Sequence, residues 1–118
     1  MKVLLIFNKE PYDGTDVTWN GLRLANQLHE DNHEVRIFIM NDAVDLVRDI
    51  NLDNQTYDQD LVSILNNLIE KGVKIKACGT CMSRCGIYKN KPYILGVDKS
   101  TMKDLSNWVT SSDKVINL

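Results

Sequence analysis

From Val3 to Phe7 the chain runs five apolar residues without a break, Val3-Leu4-Leu5-Ile6-Phe7, between the polar Lys2 and Asn8. A strand with one wet face alternates apolar and polar residues. An unbroken run therefore predicts a strand buried on both faces, the pattern of a central strand in a parallel sheet covered by helices on either side. The following residues 8–14 include Pro11, Asp13 and Gly14, a loop composition, and Thr15 or Asp16 can then cap a helix. Val17, Gly21, Leu24, Ala25 and Leu28 recur at helical spacing up to about Glu30, and Asn32 suits a left-handed stop.

The alternation continues. Residues 34–40, with Val35, Ile37 and Ile39 spaced by two, predict a second strand. Asn41-Asp42 can cap a short helix carrying Ala43, Val44, Leu46 and Val47. Residues 51–57 are polar and aperiodic and read as a loop. A helix beginning at Asp58 or Gln59 presents Leu61, Val62, Leu65, Leu68 and Ile69 on one face and ends at Lys71-Gly72. Residues 73–77 predict a third strand. After a loop with Pro92, a helix from Thr101 (Met102, Leu105, Trp108, Val109) leads to a last strand at 114–118. Strands alternating with helices imply an α/β fold with a largely parallel sheet and helices on both faces. In such sheets chemistry gathers beyond the carboxyl ends of the strands, the edge from which loops 8–15, 40–42 and 78–86 emerge.

The 118 residues are enough for one domain, 1–118, and no second. No apolar run approaches the roughly 18 residues of a membrane helix, and Met1-Lys2 leads straight into a strand with no signal-peptide core. A cytoplasmic location is the expectation, with no membrane partner. A net charge of −2 argues against broad nucleic-acid binding.

All three cysteines fall in the stretch Cys78-Gly79-Thr80-Cys81-Met82-Ser83-Arg84-Cys85. Residues 71–91 hold six basic side chains (Lys71, Lys74, Lys76, Arg84, Lys89, Lys91) and no Asp or Glu, leaving eight basic against sixteen acidic elsewhere. A positive setting lowers a thiol pKa, and an odd number of cysteines without a secretory leader points to reactive or ligating thiols rather than a disulfide scaffold. If a helical turn begins near Thr80, Cys81 lies in its first turn, where free N–H groups favour thiolate. Cys85 follows Cys81 by four, with helical Cβ atoms about 5–6 Å apart. An unstrained disulfide wants about 3.5–4.5 Å, so Cys78 and Cys81 are the more feasible oxidised pair.

Other readings weigh less. The thioredoxin-type Cys-x-x-Cys site lacks the aromatic residue before its first cysteine. A zinc or iron–sulfur module could use Cys78, Cys81 and Cys85, but a closed site wants a fourth ligand, His29 and His33 are remote, and neighbouring positive charge opposes a cation. Cys85 also suits a small buried hydrophobe. Asp13, Asp16, Asp42 and Asp45 invite a carboxylate-pair reading, but each also stands where turns and N-caps favour Asp, and capping is the preferred reading. The two histidines flank a helix end, and Trp19 and Trp108 read as packing or subunit-contact residues. No phosphate-loop motif occurs. No cofactor or resident metal is expected.

These segments together resemble the DsrE/DsrF-like family of small sulfur-handling proteins (DsrE, TusD, YchN-like). The specific part is Cys78-Gly79-Thr80-Cys81 with Gly86 following. Weaker matches are residues 2–7, Tyr12-Asp13-Gly14, Leu22 to Leu28, His33-Glu34-Val35, Asp42-Ala43-Val44, Met102-Lys103-Asp104-Leu105, Trp108 and Asp113-Lys114-Val115. The resemblance implies a three-layer α/β/α sandwich on a mostly parallel sheet of about five strands, assembled as a dimer, trimer or hexamer. It also implies a persulfide-carrying cysteine, which falls on Cys78, with Cys81 shared by some branches. Where the family often reads Ala-Arg-Gly, this chain has Arg84-Cys85-Gly86. The implied function is a sulfur carrier or sulfurtransferase between donor and acceptor proteins. Cys78 would carry sulfur, Cys81 would resolve it, and Arg84, Lys76 and Thr80 would support the anion. A metal-binding module and a non-catalytic oligomeric or regulatory subunit are the alternatives.

Overall fold

The computed structural model describes residues 1–47, 60–84 and 94–118. The opening apolar run forms β1 (Lys2–Phe7) and is followed by α1 (Val17–Glu30), β2 (Glu34–Ile39), a 3₁₀ segment (Asn41–Val47) and α2 (Leu61–Glu70). Then come β3 (Lys74–Cys78), the short α3 (Gly79–Arg84), β4 (Val97–Ser100), α4 (Met102–Ser111) and β5 (Lys114–Asn117). The five strands make one parallel sheet in the order β4-β3-β2-β1-β5. The central position predicted for residues 2–7 is the one β1 holds, between β2 and β5.

From β1 to β4 the chain steps across the sheet in one direction, and β5 then returns to the far side of β1. Right-handed crossovers place connections of opposite direction on opposite faces. One core accordingly joins Leu5, Phe7, Val35, Ile37, Ile39, Ile75 and Ala77 to the apolar residues of α1, α2 and the 3₁₀ segment. The alternate residues Leu4, Phe38 and Cys78 join Leu105 and Trp108 of α4 in a second core. Each fully buried Leu or Ile contributes roughly 1.5–3 kcal/mol of hydrophobic stabilisation.

Local chemistry sets the element ends. Asn32 (φ 68°) stops α1 as predicted, and Gly72 (φ 91°) stops α2, where the N–H of Val73 bonds back to Leu68 O at 3.1 Å. Helix α2 is capped by Asp60, which accepts the Ser63 N–H at 3.1 Å. Asp58 and Gln59, the predicted starts, lie outside the described residues, as does the loop predicted at 51–57. Thr101, the predicted start of the last helix, caps α4, whose first residue is Met102. Gly21 lets α1 lie close on β1, since a Cβ there would sit 2.6 Å from the Phe7 ring. Several details differ: β2 and β5 each end one residue sooner than predicted, β3 starts one residue later, and β4 is not among the predicted strands. The segment after β2 winds as a 3₁₀ helix, and β3 runs one residue further than predicted, so Cys78 is its last residue. No described helix is long and apolar enough to cross a membrane.

Candidate functional site

Cys78 ends β3, in register with Ser100 of β4, and α3 starts at the next residue. Its side chain is 3% exposed and packs with Leu4, Phe38, Leu105 and Trp108. The Cys78 Sγ accepts the backbone N–H of Cys81 at 3.5 Å, the bond that a Ser or Asp side chain makes at a helix start. Cys-x-x-Cys spacing is therefore cap-to-third-residue spacing. Cys81, in the first turn of α3 as predicted, is half-buried and packs against both cores. Its Sγ accepts the N–H of Asn41, the first residue of the 3₁₀ segment after β2, at 3.2 Å. Each of the two thiols thus has a backbone N–H within hydrogen-bond reach of its sulfur.

The supporting residues divide. Thr80 is exposed and lines a cavity of 410 Å³ with Gly79, Ser83, Lys99, Ser100, Thr101 and Met102, a hydroxyl-rich opening beside α3 with one lysine. Lys76 shares the Cys78 face of β3, but its ammonium lies 4.7 Å over the Trp108 ring. Arg84 closes α3, and Cys85 lies outside the described residues. The basic window also separates in space. Lys71 precedes β3 and is held by Asn26 at 2.6 Å and Glu30 at 3.3 Å on α1. Lys74, four residues before Cys78, is about 13 Å away along the strand. Among the described residues, Lys71, Lys74 and Lys76 of the basic window are thus spread along and before β3, and the donors to the two sulfurs are the backbone N–H groups of Cys81 and Asn41. Among the described residues no group of three or more His, Cys, Asp or Glu is gathered to hold a metal.

Of the aspartates read as caps, Asp13 accepts the Thr15 hydroxyl at 2.6 Å and the Thr15 N–H at 2.9 Å, and these bonds hold its carboxyl below the usual range. Asp45 departs from that reading, because its carboxyl is hydrogen-bonded to Glu10 in the loop after β1. Burial first, then the bond and charge of Asp45, push Glu10 up to about 8 from an ordinary 4.5, against the pull of the Tyr12 N–H. The unfolded chain loses this proton near pH 4.5 and the folded protein only near 8, so stability is fully present below 4.5 and falls as pH rises to 8. For a carboxyl this exposed to solvent the loss is about 1–2 kcal/mol. Thermal melts at pH 5 and pH 8.5 should therefore diverge less in Glu10→Gln than in the wild type, and equal pH slopes would remove the pair from the account.

The Asn side chains at the strand ends were not anticipated. Asn41 Nδ2 donates to Asn8 Oδ1 at 2.8 Å, and Asn8 in turn bonds Asn117 and the Leu118 carbonyl. These ties run from β2 to β1 to β5, across the point where the strand order reverses.

The fold and site define a small all-parallel five-stranded α/β domain with two neighbouring thiols at the carboxyl edge of its sheet. The DsrE/DsrF-like family model matches residues 1–118, and the chain belongs to that family, which is linked in general to sulfur relay. It is 34% identical over 116 residues to the uncharacterized protein MK0008 of Methanopyrus kandleri, covering 97% of this chain and 91% of the relative. It is likewise 34% identical over 117 residues to the protein YchN of Escherichia coli K12, covering 98% and 97%. The crystal structure of the E. coli ychN protein superposes with a TM-score of 0.86 at 32% identity, covering 100% and 99%.

Proposed function

We propose that this protein is a sulfur carrier that holds sulfane sulfur as a persulfide on Cys78 and passes it to an acceptor protein, with Cys81 as partner thiol. The observation that supports it is the Cys81 N–H donated to Cys78 Sγ at 3.5 Å, in a family linked to sulfur relay. In loading, the Cys78 thiolate attacks the outer sulfur of a donor persulfide R–S–SH. The donor S–S bond breaks, R–S⁻ leaves with the electron pair, and Cys78–S–SH remains. Delivery repeats the step in reverse sense, the acceptor thiolate taking the outer sulfur and Cys78 thiolate leaving. Burial of Cys78 keeps the persulfide from water and oxidants.

The greater exposure of Cys81 favours a second route for the first step. Here Cys81 takes the outer sulfur from the donor, and Cys78 thiolate then removes it, releasing Cys81 thiolate. Donor and acceptor are proteins in both routes. The exposed apolar side chains Met102, Val109 and Val115 suit self-association into a homo-oligomer, which light scattering measures.

After incubation with a persulfide donor, the intact protein should gain about 32 Da, one sulfur atom, located on Cys78 by peptide mass spectrometry. Cys78→Ser should lose the stable adduct. Loading in Cys81→Ser separates the routes: retained loading means direct attack by Cys78, and lost loading means entry through Cys81. A wild-type protein that never gains the mass ends the carrier reading.

A further inference from the structure

Asn41 holds a backbone conformation that side chains rarely take, φ 53°, and Asn is among the few residues that tolerate it. Its N–H points at Cys81 Sγ at 3.2 Å. Its side-chain amide is tied to Asn8 Oδ1 at 2.8 Å, and Asn8 is tied onward to Asn117 and the Leu118 carbonyl. One residue thus spends its main-chain donor on the thiol and its side chain on an anchor two strand ends wide.

We propose that Asn41 and Asn8 are positioning residues for Cys81: the amide chain from β5 through Asn8 holds Asn41 left-handed, so that its N–H stays directed at the Cys81 sulfur. The inference deepens the sulfur-carrier reading and rests on it for its purpose, while its test reads only the acid–base behaviour of one thiol. The strand ends β1, β2 and β5 carry this chain, whereas Cys81 belongs to α3 after β3. The contact therefore couples the thiol to the half of the sheet that holds no cysteine.

The charged and titratable groups on the elements around Cys81 include Arg84 on α3 itself, Asp42 and Asp45 on the 3₁₀ segment, Lys9, Glu10 and Tyr12 after β1, Lys74, Lys76 and Cys78 on β3, Asp98 and Lys99 on β4, and Lys103 and Asp104 on α4. Glu10 is bonded to Asp45, Lys76 lies over Trp108, Lys99 crosses Gly79, and Asp104 accepts from Ser100 at 2.6 Å. Asn41 supplies the N–H bonded to the sulfur itself.

The test is the rate at which iodoacetamide alkylates Cys81 from pH 5 to pH 10, read from peptide 77–84 by fragment mass spectrometry. Loss of a hydrogen bond to a charged sulfur moves the midpoint up by about one pH unit, a rate about 10-fold lower on the acid side. Asn41→Ala and Asn8→Ala should both show it. Asn41→Gly, free to keep φ positive but cut from Asn8, should fall between them and wild type. Asn8→Ala leaves the Asn41 backbone intact and carries the test if Asn41→Ala folds poorly. Midpoints in Asn8→Ala and Asn41→Gly equal to wild type overturn the proposal. So does a uniform rise in rate at all cysteines with no midpoint change, the mark of a merely structural role. Intact shifts with no persulfide loading would instead sink the carrier reading alone.

Discussion

Replacing Trp108 by alanine is expected to cost about 3–5 kcal/mol of folding stability and to lower the melting temperature by roughly 10–20 °C. Helix α4 covers the second face of the sheet, and among the described residues its buried contribution is Leu105 and Trp108. The indole is 8% exposed and meets Phe38 edge-on, with ring centroids 6.4 Å apart and planes at 79°. Arg36 at 5.6 Å and Lys76 at 4.7 Å approach the same ring. Alanine loses the apolar transfer, opens a cavity over Phe38 and Cys78, and removes two cation contacts worth about 0.5–1 kcal/mol each. Against a total stability of about 5–15 kcal/mol this is a large share. Trp108→Phe, which keeps a ring in place, should recover most of it. A denaturant titration giving less than about 1 kcal/mol for the alanine variant would mean that α4 is held by something other than this residue.

The second large effect is kinetic. In the native protein iodoacetamide should modify Cys81 at least on the order of 100-fold faster than Cys78. Cys78 is 3% exposed under α4, whereas Cys81 is half-buried. Reagent reaches a buried thiol only through an opened state, and an opening free energy of about 3 kcal/mol already gives a factor of about 100. Both cysteines lie in one tryptic peptide, residues 77–84, so a pulse of reagent and fragment spectra report both rates in one sample. The ratio should collapse in denaturant, and it should shrink in Trp108→Ala. Similar native rates would contradict the buried placement of Cys78.

Much of this fold was legible in the chain because periodicity is a local property. The unbroken run in β1, the helical spacing of α1 and α2, and the stop at Asn32 each depend on neighbours a few residues apart. Strand β4 escaped for the same reason. Val97-Asp98-Lys99-Ser100 is short, polar and at the sheet edge, and only pairing with β3 makes it a strand. The thiol pair was readable from spacing, and so was Cys81 in the first turn of a helix. Which thiol lies under α4 was not, because that follows from the direction α4 takes across the sheet. The Asn8, Asn41 and Asn117 ties join residues up to 109 positions apart, and no window contains them. Glu10 sits unremarked in a stretch that reads as loop and Asp45 reads as a cap, and the two pair only because the 3₁₀ segment lies beside the loop after β1.

The strand order has a consequence for how the chain is made. β1 emerges first and finds β2 within about 30 residues, but its other edge belongs to β5, whose pairing partners are residues 114–117. At synthesis rates of about 5–20 residues per second, that edge stays bare for several seconds or more while most of the chain is built. An apolar strand with an open edge is a template for unwanted pairing with other chains. Aggregation of nascent or truncated chains should therefore start at residues 2–7, and a charged residue introduced at Val3 or Ile6 would suppress it while weakening the finished sheet.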